Sequence, residues 1–263
     1  MSQVTQSDFD FLIQHRKIWS VRPELQAVYQ DWFGQLLRCV DGLQPIVEMG
    51  SGPGFFKEYF PRLISTDFIT SPWVDVACDA GSLPFRSGTA GAIVMVDVLH
   101  HLPKPLEFMA EAGRILQPGG RLAMIEPWIT PLSFLLYRYF HHEDCSLKVD
   151  LKRPFEAQGK KAFDGNAAIP FKLLKYAVPG PQPLDLIRAD SFLGLPYLVT
   201  LGFKYARPIP QTLVDFARVC ERWLRPIGRF AATRILLVWQ KTSSDSASQS
   251  GKPSLGCRRR LGR

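Results

Sequence analysis

The pattern of apolar and polar residues changes its period along the chain. Between residues 7 and 40, apolar side chains recur every three or four positions, which predicts helices. Pro23 lies where a second helix would begin, because proline is tolerated in the first turn. From residue 45 to residue 127, short apolar runs alternate with helical segments. This alternation predicts a parallel sheet covered by helices on both faces.

Several of these apolar runs have the length and composition of buried strands. We expect strands at residues 45–49, 63–67, 74–79, 92–96 and 121–126. Helical spacing predicts a brief helix at 55–59 and a longer helix at 105–116, which Gln117-Pro118-Gly119-Gly120 would end. Because crossovers between parallel strands are right-handed, these elements favour a doubly wound α/β sheet.

The pattern loosens after Pro127. Residues 129–140 predict an aromatic-rich helix, which could line a pocket or belong to the core, and residues 144–182 predict a loop or cap. A strand at 184–188, a helix at 211–224 and a strand at 232–240 follow. We expect one domain over residues 1–241, with a core at 43–130, a cap insert at 131–182 and C-terminal elements at 183–241. Residues 242–263 predict a disordered basic tail.

Composition excludes several classes of protein. The formal net charge is +8, but part of it lies in the arginines of the tail, and the core has no interleaved basic and aromatic stripe typical of nucleic-acid binding. Five cysteines without a C-x-x-C pair argue against a disulfide framework or a zinc site, and favour the cytoplasm. We expect neither a signal peptide nor a spanning helix, because no sufficiently long apolar run occurs.

A glycine-rich segment follows the first predicted strand. Gly50, Gly52 and Gly54 would let a ligand approach the main chain closely, although a tight turn alone could also need them. A dinucleotide-binding fingerprint would place a glycine at position 55 and an acid about 20 residues further on. Phe55 stands there instead, and Asp67 comes sooner. The spacing therefore argues against a nicotinamide-dependent oxidoreductase.

The motifs around this loop resemble those of a known family. They are E-x-G-x-G-x-G at 48–54, an acid at 67, D-A-x-x-L-P-F at 79–85, L-H-H-L-P-x-P at 99–105 and R-I-L-Q-P-G-G-R-L at 114–122. This combination resembles the class I methyltransferases that depend on S-adenosylmethionine (SAM), in the broad type 11 group that includes the ubiquinone and menaquinone methyltransferases. The resemblance covers about residues 45–130 and implies a Rossmann-like fold with SAM as cofactor.

The resemblance also implies a role for each matching residue. Asp67 would accept hydrogen bonds from the ribose hydroxyls, Phe68 would lie against the adenine, and Asp97 would lie near the methionine end of the cofactor. Asp79 and the Ala80 amide would contact the adenine amino group. The loop around the methionine part would consist of Glu48, Gly50, Ser51, Gly52 and Gly54. One departure is the short connection at 69–73, which leaves little room for the usual helix beside the adenine.

The sulfonium of SAM already activates its methyl group, so the protein's task is to align an acceptor with it. A base is needed only where the acceptor must lose a proton, and the candidates are His100, His101 and His142. Alternatively, one of the first two packs the turn before Pro103, and His142 belongs to a solvated polar cluster. We expect no metal site, because adjacent histidines on a helix do not face one ion.

The aromatic-rich insert fits a cap over a small-molecule acceptor, lipid-like or aromatic. Segments 131–140 and 195–203 are apolar enough to contact such an acceptor or a membrane surface, so peripheral membrane contact stays open. A non-catalytic protein that binds SAM through the same fold is the competing hypothesis, and the intact residues Gly50, Asp67 and Asp79 argue against it. Nothing in the sequence indicates the oligomeric state.

Overall fold

The structure is a computed structural model, which describes residues 5–140, 145–154, 165–174 and 184–242. In these ranges one mixed sheet is formed by β1 (Ile46–Met49), β2 (Ile64–Asp67), β3 (Val76–Ala77), β4 (Ala90–Val96), β5 (Leu116–Pro127), β6 (Leu184–Phe192) and β7 (Arg234–Lys241). The strand order is β3-β2-β1-β4-β5-β7-β6, and β7 alone is antiparallel to its neighbours β5 and β6. This confirms the predicted Rossmann-like α/β fold.

Helices surround the sheet. They are α1 (Gln6–Ser20), α2 (Pro23–Cys39), α3 (Phe55–Tyr59), α4 (Pro105–Ile115), α5 (Pro131–Phe140), α6 (Ile169–Leu173), α7 (Leu195–Thr200), α8 (Gln211–Leu224) and α9 (Gly228–Ala231). Short 3-10 turns occupy Leu99–His101, Gly202–Lys204 and Arg225–Ile227. Among the described residues, no helix is both long enough and apolar enough to cross a membrane.

The core lies on both faces of the sheet, because successive side chains of a strand point to opposite sides. On β4, Ile93 and Met95 pack against α4, whereas Ala92 and Val94 pack against α2 and α3. Strand β4 is therefore apolar throughout, as the uninterrupted apolar run at 92–96 predicts.

A buried ion pair fastens the N-terminal helices to the C-terminal part of the chain. Arg22, between α1 and α2, pairs with Glu24, and both side chains are fully buried. The guanidinium also donates to the carbonyls of Thr200, at 2.8 Å, and Tyr205. Glu24 Oε1 accepts from the Ile209 amide at 3.0 Å. We refer to these contacts as the Arg22 clamp.

Three boundaries differ from the sequence predictions. The third strand, expected at 74–79, is confined to Val76–Ala77. The Asp75 amide donates to the Ser65 carbonyl at 3.0 Å, but the Ser65 amide binds the Asp75 carboxylate, at 2.8 Å, and not a main-chain carbonyl of the third strand. Strand β5 begins at Leu116, so residues 117–120, expected as a turn that ends the preceding helix, belong to the strand. Strand β6 continues to Phe192. As expected, no helix occurs between β2 and β3.

The domain boundaries stay predictions. The expected basic tail lies outside the described residues except for Thr242, and the expected cap insert is described only at 131–140, 145–154 and 165–174.

Candidate cofactor site

The loop after β1 is left-handed at each of its three glycines. The φ angles of Gly50, Gly52 and Gly54 are 67°, 48° and 79°. A Cβ atom at Gly50 would lie 2.5 Å from Val98 Cγ2, and one at Gly54 would lie 2.8 Å from Trp73 Cβ. These two glycines are required by packing as well as by backbone conformation. At Gly52 only a Leu12 methyl approaches, at 3.9 Å, so conformation alone requires this glycine.

The Asp67 carboxylate, at the end of β2, faces this loop. Asp67 Oδ2 accepts a hydrogen bond from the Gly52 amide at 2.7 Å, and Oδ1 accepts from the Ile69 amide at 2.9 Å. Burial raises the pKa of Asp67, and hydrogen bonds from the amides of Ile69, Gly52 and Phe68 oppose that increase. The side chain is therefore fixed beside the glycine loop, and its expected role as acceptor for the ribose hydroxyls stays a prediction.

Glu48, on β1 beneath the same loop, is a buried carboxyl. Burial raises its pKa to about 8, with the Ser51 hydroxyl opposing the increase and the Asp67 charge adding to it. Neither Glu48 Oε2 nor Ser51 Oγ makes a well-directed hydrogen bond to any described residue. Two buried polar groups thus lie next to each other under the loop.

The residues expected to contact adenine follow β2 and β3. Phe68 exposes much of its ring next to Asp67. Asp79 is exposed and lies two residues beyond the end of β3, not at the strand end as expected, because β3 is short. Its Oδ1 accepts from the Gly81 amide at 2.7 Å. Ala80 packs against the core. The adenine contacts of these residues stay predictions.

Helix α1 and Trp73 cover the outer side of the loop, and the part played by Trp73 has no signal in the sequence pattern. Trp73 Nε1 donates to the Gly52 carbonyl at 2.6 Å. The Arg16 guanidinium lies 4.8 Å from the Trp73 ring centroid and also donates to the Pro53 carbonyl. Phe9 stacks on the same ring at 6.0 Å. The first helix is thus attached directly to the candidate site.

Asp97 follows β4 and is held by an arginine from β7. Its φ angle is 55°, an uncommon conformation for a residue other than glycine, and such residues cluster at functional sites. Its carboxylate pairs with Arg234, which is buried against the rings of Trp32, at 5.2 Å, and Tyr197, at 4.6 Å. Burial lowers the pKa of Arg234 and the Asp97 carboxylate raises it, with a net increase.

Arg234 lies at the edge of the sheet where the parallel strands end, because β7 runs antiparallel to β5. The first residue of β7 is paired with Pro127, the last residue of β5, so it lies where the parallel strands end. The apolar pattern of residues 232–240 predicts the strand but carries no signal for its direction, and sequence analysis therefore missed Arg234.

The candidate bases lie on the turn after β4. His100 Nδ1 is 2.7 Å from Glu126 Oε2, and Glu126 Oε1 accepts from the Val98 and Leu99 amides at 2.9 and 2.8 Å. His100 is only 2% exposed, which favours the packing interpretation of this residue. His101 is partly exposed beside it, with ring centroids 4.0 Å apart. His142 lies outside the described residues.

Oxygen and nitrogen atoms of Asp97, His100 and Glu126 lie within 4.8 Å of one another, a spacing that a metal ion could use. However, Asp97 already pairs with Arg234, and Glu126 binds two amides and His100. These contacts give the three side chains partners within the protein. The expectation of no metal stays a prediction.

Residues 47–124 match a family model described as a methyltransferase domain. The match runs from β1 into β5 and includes the glycine loop, Asp67 and Asp97. Together with the strand order, the match makes this segment similar to the methyltransferase domains that depend on SAM. The cofactor of this class of domain is SAM.

Solved structures share the fold at low sequence identity. A SAM-dependent methyltransferase from Archaeoglobus fulgidus is 14% identical with a TM-score of 0.50, over 82% of this chain and 94% of that chain. A putative sarcosine dimethylglycine methyltransferase from Galdieria sulphuraria is 17% identical with a TM-score of 0.46, over 81% of this chain and 85% of that chain.

Two curated proteins match short segments. The mouse tRNA (carboxymethyluridine(34)-5-O)-methyltransferase ALKBH8 is 38% identical over 56 residues, which are 20% of this chain and 8% of that protein. An uncharacterized 37.1 kDa protein in a Streptomyces fradiae transposon is 43% identical over 49 residues, which are 19% of this chain and 14% of that protein. The chain therefore spans a small part of either relative.

The residues at the site fit SAM. The glycine loop gives close access to the main chain beside Gly52, the Asp67 carboxylate is fixed next to it, and the buried oxygens of Glu48 and Ser51 lie beneath it. These features match the polar groups of a nucleoside joined to an amino acid.

Proposed function

We propose that this protein transfers a methyl group from SAM to a small-molecule acceptor by in-line displacement. The observation that carries the proposal is the Asp67 carboxylate, which is fixed against the Gly52 amide where β1 and β2 end. A methyltransferase-domain match over the same residues supports it. The motifs shared with the ubiquinone and menaquinone methyltransferases favour a lipid-like or aromatic acceptor.

When bound, SAM supplies a methyl group that its sulfonium has activated. The chain's own residues then have to bind and orient the reactants. Each oxygen of the Asp67 carboxylate accepts one hydrogen bond from a main-chain amide, that of Gly52 or that of Ile69. A carboxylate oxygen can accept a second hydrogen bond, so both oxygens can also accept from ribose hydroxyls. Arg234 holds Asp97 in a fixed orientation, in which its carboxylate can bind an ammonium group.

Positioning accounts for the rate increase that such a site can provide. Well-oriented reactants can lower a barrier by about 7–11 kcal/mol without a covalent intermediate on the protein. Trp73 and α1 cover the loop and exclude water from that side. Where the acceptor must lose a proton, His101 is the better candidate base, because His100 is buried against Glu126.

The acceptor pocket would lie beside β5 and the insert. Trp128 follows β5 and contacts Phe171 of α6, with ring centroids 5.3 Å apart. Tyr137 belongs to the core instead, since it is buried and its hydroxyl donates to the Thr233 carbonyl at 2.7 Å. We do not propose a nucleic-acid acceptor, because the tRNA methyltransferase match covers only 20% of this chain. We propose the cytoplasm as the compartment, since the cysteines in the described ranges are free thiols.

Calorimetric titration of the full chain with SAM and S-adenosylhomocysteine tests the cofactor. We expect both to bind and Asp67→Ala to weaken binding. Asp41→Ala changes an exposed acid in the turn before β1, at the opposite end of that strand from the glycine loop, and should leave binding unchanged. Tight NAD(H) binding without SAM binding would refute the proposal in favour of an oxidoreductase.

Incubation of a metabolite extract with methyl-labelled SAM, followed by mass spectrometry, tests turnover and identifies the acceptor. We expect the label in a small molecule, in amounts that depend on Asp67. Binding of SAM without label transfer to any acceptor would instead favour the non-catalytic hypothesis.

A further inference from the structure

An apolar stripe runs along α8 and continues through α9. Its side chains are spaced three, four or seven residues apart, which places them along one face of the helical segment. Trp223 and Phe216 are 80% and 67% exposed, and the other members are also exposed. The α8 stripe consists of Leu213, Phe216, Trp223, Ile227 and Phe230. Val214, Ala217 and Gly228 of the same segment are buried against the protein.

Neighbouring helices extend this apolar surface. Helix α8 packs against α7 and against the 3-10 turn that leads to α9, and α9 packs against α5. Each of the flanking helices exposes large apolar side chains of its own: Leu132, Leu135 and Tyr139 on α5, and Leu198 and Val199 on α7. The exposed apolar residues therefore belong to elements that contact one another.

This surface borders the candidate cofactor site. Helix α9 ends at Ala231, and Arg234, three residues later, pairs with Asp97 at the sheet edge. Helix α7 contributes Tyr197 to the aromatic contacts of the same arginine. A partner bound to the α8 stripe would thus lie next to the edge where the acceptor is expected.

Arginines accompany the stripe. Arg222, Arg225 and Arg229 are exposed, and they form no ion pair with the described acids. The two acids of the segment are already engaged. Asp215 pairs with Arg218, and Glu221 accepts from the Gly194 amide at 2.9 Å. The segment therefore presents apolar side chains together with unneutralised positive charge.

The charge of this segment distinguishes between two possible partners for the stripe, a second copy of the chain and a lipid bilayer. A second copy of the chain, paired across a two-fold axis, would bring two rows of arginines together, and both acids of the segment are already engaged by other partners. A bilayer with anionic headgroups offers negative charge and an apolar interior at once. Tryptophan is also enriched at the boundary between headgroups and acyl chains.

We propose that the α8 stripe and its arginines bind the surface of an anionic lipid bilayer. The apolar side chains enter the boundary between headgroups and acyl chains, and the guanidinium groups contact lipid phosphates. The protein lies on the membrane and does not cross it. This inference is independent of the reaction proposed above.

Flotation of the full chain with lipid vesicles tests the proposal. We expect the protein to float with vesicles of phosphatidylcholine and phosphatidylglycerol at low salt, less so at high salt, and weakly with phosphatidylcholine alone. The double variant Phe216→Ser, Trp223→Ser should reduce partitioning at least about tenfold, because it removes two large apolar anchors. The triple variant Arg222→Gln, Arg225→Gln, Arg229→Gln should reduce it about a hundredfold on anionic vesicles.

Matched variants control for hydrophobicity and for charge. Tyr59→Ser with Ile187→Ser removes exposed apolar side chains from other surfaces, and should not change flotation. Arg62→Gln, Arg86→Gln, Arg153→Gln gives the same net charge as the arginine variant and should keep most of the binding. Thermal unfolding of every variant verifies that each remains folded.

Three results would overturn the proposal. The first is a wild-type chain that stays unbound on anionic vesicles at low salt. The second is a loss of binding caused only by substitution of Arg258, Arg259 and Arg260, which would assign the binding to the tail. The third is a dimer in sedimentation that the Phe216→Ser, Trp223→Ser variant dissociates, since a second copy would then occupy the stripe.

Discussion

Replacing Glu48 with glutamine should flatten the dependence of folding stability on pH. The carboxyl has an ordinary pKa of 4.5 in the unfolded chain, and burial raises its pKa to about 8 in the folded protein. Below the lower value the group is protonated in both states. Between the two values the unfolded chain loses the proton and the folded protein retains it, so stability falls as pH rises. Above about pH 8 the group is ionised in both states, and stability falls no further on its account.

The magnitude follows from the two pKa values. One pKa unit corresponds to about 1.4 kcal/mol, so the full interval corresponds to a loss of about 5 kcal/mol in the free energy of unfolding. That loss is comparable to the total stability of many domains. Asp67 also has a raised pKa and acts in the same direction, but it is present in both the wild-type protein and the variant.

Urea unfolding followed by tryptophan fluorescence, at about pH 5, 6, 7, 8 and 9 and constant ionic strength, measures this dependence. The wild-type free energy of unfolding should fall across this range and that of Glu48→Gln should fall much less. The side-chain amide of the Glu48→Gln variant brings a hydrogen-bond donor that the site does not satisfy, which costs about 1–3 kcal/mol at every pH. The comparison therefore uses the slope of the free energy of unfolding against pH and not its absolute value. Glu58→Gln, at an exposed carboxyl of α3, is the control and should keep the wild-type slope. Equal slopes in the wild-type protein and Glu48→Gln would refute the reasoning.

Three further substitutions test other parts of the structure. Asp67→Asn should weaken SAM binding by about 1.5–3 kcal/mol in calorimetry, because it removes the charge from the ribose acceptor. Gly50→Ala should destabilise the fold by more than Gly88→Ala in thermal unfolding; both glycines have positive φ, but only Gly50 would also place a Cβ within 2.5 Å of a neighbouring side chain. Arg22→Met should cost about 3–5 kcal/mol in urea unfolding, because it leaves a buried carboxylate unpaired, whereas the exposed pair of Arg188 should contribute at most about 1 kcal/mol.

Each of these expectations has a result that contradicts it. Unchanged SAM affinity in Asp67→Asn would show that the ribose assignment is wrong. Equal losses in the two glycine variants would show that backbone strain alone, without the contact to Val98, limits position 50. A loss in Arg22→Met no larger than that in Arg188→Met would show that the Arg22 clamp contributes little.

The sequence predicts those parts of the fold that depend on local pattern. The apolar run at 92–96 and the glycine loop at 50–54 are decided by neighbouring residues, and both occur where expected. The third strand was predicted too long because its apolar pattern does not reveal that Asp75 binds the Ser65 amide. The pattern also could not show that His100 would be buried against Glu126, 26 residues away.

The parts of the site that the sequence could not predict depend on distant residues. Arg234 reaches Asp97 across 137 positions, because β7 is inserted antiparallel between β5 and β6. Trp73 covers the glycine loop from the connection between β2 and β3, which sequence analysis treated only as a missing helix. Such contacts arise from the order and direction of the strands, so the spacing of residues along the sequence does not predict them.

The Arg22 clamp has a consequence for how the molecule opens. Separating α1 and α2 from the rest would expose a charged guanidinium, its carboxylate partner and two carbonyls of the 200–205 segment at the same time. Helices α1 and α2 and the segment 200–209 should therefore resist proteases as one unit, and a nick in either part should loosen both. Any motion of α1 that admits cofactor would then be transmitted to the helices beside the apolar surface.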